Sequence, residues 1–337
     1  MVMELTRIAG LAGALLTAVA VAPAAAQDFK PAVVFDMGGK FDKSFNEGVW
    51  NGVKRFSDET GIEVMEFEVT NETQREQAIT RMAQRGATLV LGVGFSQADA
   101  IDKVAQEYPD KKFAIIDVYW LDQPNLRQYR FEEHQGSYLA GVAAAMASET
   151  GTVGFVGGMD VPLIRKFACG YVQGVKATDP DATVIENMTG TTPAAWNDPT
   201  KGAELARSQI DRGADVVYHA AGGTGLGVIR AVADAGKLAI GVDSDQNDVA
   251  PGSVLTSMLK RVDNAAYDTL MDGKNDEFTS GIVSLGLAEE GVDLVANEEN
   301  AALMTQEIRA AVDGAKAKII AGEIEVHNYE DDQSCPF

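Results

Sequence analysis

From residue 33 to residue 242 the chain keeps one rhythm: a short apolar run, then a glycine or an acid, then an amphipathic stretch of helical length. Buried runs spaced in this way predict parallel strands joined by right-handed helical crossovers, so the expected fold class is α/β with doubly wound sheets. The first unit sets the pattern. Residues 33–36 read as a buried strand ending at Asp36, Gly38-Gly39 as a turn, and the next stretch as a helix with Val49, Trp50, Val53 and Phe56 on one face. Ser44 with Glu47 three residues on reads as a capping box that holds Phe45 at the helix entrance. An acid at a strand end, a glycine turn and an aromatic ring at the next helix form one wall of a small-ligand cleft, since open α/β sheets bind ligands at that edge. An ordinary loop with Phe45 folded into the core is the alternative.

Strands are expected over residues 62–69, 88–93 and 112–117, each followed by a turn and, in the first two cases, a helix. The polar stretch 119–130 interrupts the rhythm, and a second series runs from a helix over 133–148 to a strand over 238–242. The chain is then expected to return: a strand over 253–259 ending at Lys260, a helix over 261–271, a short strand over 281–285 and a last helix over 303–321. Two Rossmann-like lobes with parallel sheets, joined by a multi-strand hinge, are the economical reading. One lobe takes residues 28–130 plus about 260–280, the other 131–259 plus about 281–330, with 331–337 as a polar tail.

Ahead of both lobes, residues 1–26 have the form of a cleavable secretory signal: Arg7, an apolar stretch over 8–21, and Ala24-Ala25-Ala26 before Gln27. That run is short and alanine-rich for a membrane span, and no cysteine follows the small-residue site, so the expectation is a periplasmic protein without a lipid anchor. A net charge of -22 opposes nucleic acid and anionic lipid as partners. Cys169 and Cys335 are far apart in sequence and are expected to stay unpaired. His134, His219 and His327 lack paired ligand spacing, so neither a metal nor a cofactor is expected.

Gly222-Gly223-Thr224-Gly225-Leu226-Gly227 follows a strand and opens a helix, but its glycine spacing departs from the dinucleotide fingerprint. A backbone-lined ligand contact at a helix N-terminus is preferred. Asp117 and Asp243 stand at strand ends in different lobes and Lys260 at the end of the returning strand, a set suited to adjacent hydroxyls of a sugar. Helix capping is the alternative for each acid. Phe45 and Trp196 are candidates for a clamp on a planar ring, with packing of Trp196 on its own lobe as the alternative.

These residues resemble the basic membrane protein, or PnrA-like, family of ABC-transporter substrate-binding proteins. The resemblance spans nearly the whole chain after residue 26. It runs through Asp36-Met37-Gly38-Gly39 with Asp42-Lys43-Ser44-Phe45-Asn46, Gly157-Gly158-Met159-Asp160 with Pro162, and Asn197-Asp198-Pro199 with Lys201-Gly202. It continues through Ala221-Gly222-Gly223-Thr224-Gly225, Gly241-Val242-Asp243-Ser244-Asp245-Gln246 and Thr256-Ser257-Met258-Leu259-Lys260-Arg261. The resemblance implies a type I periplasmic binding protein fold and a purine nucleoside held in an inter-lobe cleft for a membrane permease. It implies that Asp36 bonds the base edge, Phe45 stacks, Asp117, Asp243 and Lys260 hold the ribose, and Gly222 or Gly223 offers backbone groups. The candidate ligand set is completed by Lys43, Ser44, Gly94, Phe95, Trp196 and Asn197. Trp196 departs from the family's usual phenylalanine. A monomer is expected, and riboflavin, a sugar-type ligand, or a nucleoside hydrolase or phosphorylase activity are the alternatives.

Overall fold

The computed structural model describes residues 29–337, so the expected signal segment lies outside the described residues. The first half of the chain runs β1 (Pro31–Phe35), α1 (Phe45–Thr60), β2 (Met65–Glu68), α2 (Gln74–Gln84), β3 (Leu89–Gly92), α3 (Ala98–Glu107), β4 (Lys112–Ile116), β5 (Leu126–Phe131) and α4 (Glu133–Ala147). Next come β6 (Thr152–Met159), α5 (Pro162–Thr178), β7 (Thr183–Gly190), α6 (Pro199–Asp211), β8 (Val216–Ala220), α7 (Gly225–Asp234) and β9 (Leu238–Asp243). The last part runs β10 (Val254–Lys260), α8 (Val262–Asn275), β11 (Gly281–Leu285), β12 (Val292–Leu294), α9 (Gln306–Ile320) and α10 (Tyr329–Asp332).

The strands form two six-stranded sheets, ordered β11-β5-β4-β3-β1-β2 and β12-β10-β9-β8-β6-β7. Among the described residues all pairings are parallel except β10 with β12. Strand alternation builds a core on each face: Val33, Phe35, Leu89 and Leu91 face one way, Ala32, Val34 and Val90 the other. Helices α1 and α8 pack together in the first lobe, and α4 and α5 pack together in the second. Three segments pass between the lobes: β5 into α4, β10 into α8, and β11 into β12.

Several expectations need correction. The polar stretch 119–130 contains most of β5, whose Arg127 and Gln128 are buried because they find partners: Arg127 donates to Thr279 O (2.8 Å) and pairs with Asp272 (2.7 Å), and Gln128 donates to Leu121 O. β11 belongs to the first sheet rather than the second lobe, covering the outer edge of β5 from Gly281 beside Arg127 to Leu285 beside Phe131. The second lobe resumes at β12, a strand too short for the sequence pattern to reveal. Finally, Cys169 and Cys335 form a disulfide with Cα atoms 5.6 Å apart, because the C-terminal segment folds back along α5.

Candidate ligand site between the lobes

The carboxyl ends of both sheets converge on one cavity. The first lobe contributes Asp36, Phe45, Gly94, Phe95 and Asp117, and the second contributes Trp196, Gly222 and Asp243, with Lys260 at the crossing between them. Phe45 and Trp196 therefore line one cavity from opposite lobes.

Asp36 follows β1 and is buried; Ser96 Oγ donates to its Oδ2 at 2.8 Å and Arg75 Nη2 lies 3.4 Å from its Oδ1. Both partners hold the carboxylate in the cavity wall, and a carboxylate with two contacts retains further acceptor capacity. Trp196 ends the turn Pro193–Trp196 and packs its ring on Gly158, where a methyl group would come within 2.1 Å of it. The missing side chain at Gly158 makes room for an indole in the wall.

Asp117 and Asp243 both have φ of 65, in the left-handed region that aspartate tolerates better than most residues. Asp117 Oδ1 lies 2.7 Å from Lys260 Nζ. Among the described residues Asp243 has no such cation at contact distance; its Oδ2 accepts from Ser44 Oγ of the other lobe at 2.5 Å. Burial pushes the Asp243 carboxyl up to about 7, with Lys260 and the Ser44 hydroxyl opposing. Burial also raises Asp117, against the pull of Lys260. Lys260 sits among the rings of Phe45, Phe131 and Phe167 at 5.2 to 5.6 Å. Burial works against its charge, but the carboxylates of Asp117, Glu133 and Asp243 outweigh it and hold the ammonium above its ordinary value.

Residues 29–330 match the family described as ABC transporter substrate-binding protein, PnrA-like. The chain belongs to that family. It is 34% identical over 321 residues to the ABC transporter nucleoside-binding protein BmpA of Lactococcus lactis subsp. cremoris, covering 89% of each chain. It is 33% identical over 322 residues to the CD4+ T-cell-stimulating antigen of Listeria monocytogenes, covering 89% of this chain and 88% of that one. A solved ABC transporter solute-binding protein from Aeropyrum pernix K1 superposes with a TM-score of 0.83 at 29% identity, covering 90% of this chain and 95% of that one. The family is one of extracellular or periplasmic proteins that bind a small molecule and work with membrane permeases. No helix among the described residues is long and apolar enough to cross a membrane.

Four residues of the sequence-based set stand outside the cavity. Lys43 is exposed, with Nζ 3.2 Å from Asp248 Oδ2, and its carbonyl accepts from Gln246 Nε2 of the other lobe at 2.9 Å. Ser44 is buried under Asp243; it does not complete a capping box, because Asp42 takes that role by accepting from the N–H groups of Ser44, Asn46 and Glu47. Asn197 points to solvent, and Gly223 is buried behind Gly222. These contacts make residues 43–44 a bridge to the second lobe. Sequence reasoning also missed Leu163, Ile164 and Phe167, which form an apolar wall from the first turns of α5. Their spacing is that of any core-facing helix, so no local signal distinguishes them.

His219, the histidine nearest to a catalytic position in the sequence, is fully buried and does not line the cavity. Its Nε2 lies 3.0 Å from Gln246 Oε1, and burial lowers its pKa to about 4. Gly225 packs on the ring, where a methyl group would come within 2.0 Å. The glycine run thus serves helix-to-strand packing as well as the cavity wall at Gly222.

Proposed function

We propose that this protein captures a purine nucleoside between its lobes in the periplasm and, as a monomer, presents it to an ABC permease. The observation that carries this reading is the placement of Phe45 and Trp196 on opposite lobes of one cavity that also holds Asp36, Asp117, Asp243 and Lys260. In this reading the rings enclose the base and Asp36 accepts from N–H groups on its edge. Asp117 and Asp243 accept from the ribose hydroxyls, and Lys260 donates to their oxygens. Gly222 offers backbone groups from the second lobe. A ligand touching both walls favours the state in which the lobes are together, which is what a permease is able to recognise. The name of the Lactococcus relative supports a nucleoside, and a disulfide suits an oxidising compartment.

The test is a thermal-shift screen of the ligand-free protein against inosine, guanosine, adenosine, free bases, ribose and riboflavin, followed by calorimetry. Inosine or guanosine is expected to raise the midpoint, and Trp196→Ala to abolish the shift. Stabilisation by riboflavin or ribose alone would replace the proposed ligand, and release of free base from inosine would replace capture by catalysis.

A further inference from the structure

The ion pair at the cavity wall is one end of a longer chain. Glu133, the first residue of α4, is fully buried between two lysines: its Oε1 lies 2.9 Å from Lys260 Nζ and its Oε2 2.7 Å from Lys166 Nζ. Lys166, on α5, also reaches Glu330 Oε2 at 2.7 Å and donates to Phe131 O at 3.1 Å. Charges of alternating sign therefore run Asp117, Lys260, Glu133, Lys166, Glu330, from the cavity to the C-terminal segment. The run touches two of the three crossings, at Phe131 to Glu133 and at Lys260.

Glu330 is brought there by a segment that is tied down at several points. Cys335 is bonded to Cys169 of α5, His327 N donates to Gln173 Oε1 at 2.8 Å, Gln173 Nε2 donates to Glu325 O at 3.1 Å, and Asn328 caps α10. On its other side Glu330 faces the first lobe, where it adds to burial in raising the Tyr119 hydroxyl. Glu133 is shared, so its position depends on the balance between its two lysines. With Glu330 in place, Lys166 has a second carboxylate and leaves Glu133 Oε1 to Lys260. Without it, Lys166 would have one carboxylate to draw on, which would pull Glu133 away from Lys260 and loosen the hold of Lys260 on Asp117.

We propose that the disulfide-held C-terminal segment is a working part of the ligand site, with Glu330, Lys166 and Glu133 as positioning residues that fix where Lys260 and Asp117 stand in the cavity. The proposal rests on the nucleoside reading in that Lys260 and Asp117 are its ribose contacts.

The test compares wild type with Glu330→Gln, Glu330→Asp, the double variant C169S/C335S, and Asp293→Asn as a control that breaks the half-exposed pair with Lys316. Inosine affinity is read by calorimetry, and amide hydrogen exchange in ligand-free protein is read at Asp117 and Arg261, whose N–H groups bond Tyr129 O and Gly291 O. Glu330→Gln is expected to weaken inosine binding about tenfold and to speed exchange at those two amides while the strands distal to the cleft keep their protection. Glu330→Asp should restore part of the affinity, C169S/C335S should weaken binding in the same direction as Glu330→Gln, and Asp293→Asn should match wild type. Unchanged affinity and exchange in Glu330→Gln overturn the proposal, as does exchange accelerated uniformly through the molecule. If wild type binds no nucleoside yet Glu330→Gln still speeds exchange at Asp117 and Arg261, the tail-to-site link stands and the nucleoside reading fails. Should C169S/C335S not fold, Glu330→Gln alone decides between these outcomes.

Discussion

Asp117 and Asp243 occupy the same place in the two lobes. Each stands at the end of the third strand in its sheet's order, with φ of 65 and its carboxyl in the cavity wall. Their partners differ. Asp117 is held by an ammonium that belongs to a hinge segment, whereas Asp243 is held by the Ser44 hydroxyl reaching across from the opposite lobe. The same fold position has thus become part of a fixed ionic frame in one lobe and part of a contact between lobes in the other. Burial raises both carboxyls, and the second, with no cation among the described residues in contact with it, should respond to pH near neutrality.

The largest effect tests the frame. Lys260→Met leaves Asp117 and Glu133 buried beside one cation fewer, and breaking a buried pair from one side costs about 3–5 kcal/mol, to be read from urea denaturation. A loss well under that range would mean that the two acids are held by something else. Next come the acids themselves in inosine calorimetry: Asp117→Asn and Asp243→Asn should each cost about 1.5–3 kcal/mol of binding, the scale of a hydrogen bond to a charged group. The comparison sharpens if Asp117→Asn also lowers folding stability while Asp243→Asn does not.

The third prediction is pH dependence. Asp243 has a folded pKa near 7 against an ordinary value of 3.8, so the folded protein holds a proton there that the unfolded chain has lost. Stability of the ligand-free protein is therefore expected to fall as pH rises between those values and to level off above 7, and Asp243→Asn should flatten that slope. Binding runs the other way. If the carboxylate is the form that accepts from ribose, affinity should rise about tenfold from pH 6 to pH 8 in wild type and stay level in Asp243→Asn. The smallest effect belongs to Lys43→Ala, which removes a pair whose side chains are half exposed; it should change inosine binding by under about 1 kcal/mol. A larger loss would show Lys43 acting on ligand after all.

Much of this site was legible because its signals are local. A strand that ends in Asp36, Asp117 or Asp243 places its acid at the sheet's carboxyl edge whatever else the chain does. Trp196 in a proline-bounded loop has few places to go. The unread features depend on partners distant in sequence. Arg127 looks like a surface residue until Thr279 and Asp272 are beside it. Ser44 looks like a helix cap because Ser-x-x-Glu is the usual form, and Asp42 wins because its two oxygens reach three N–H groups at once. Cys169 and Cys335 carry no hint of proximity, since only the course of the segment after α9 brings them together.

The threading of the chain through three crossings has a consequence for how the molecule is made. Synthesis runs from the N-terminus, so β5 exists long before β11 is available to cover it, and α1 waits equally long for α8. The early half-product exposes a row of unpaired peptide groups and an apolar helix face, the surfaces on which chains stick to one another. Native assembly of the first lobe is thereby tied to synthesis of the chain through β11, and the Cys169–Cys335 bond then fastens the later segment onto α5.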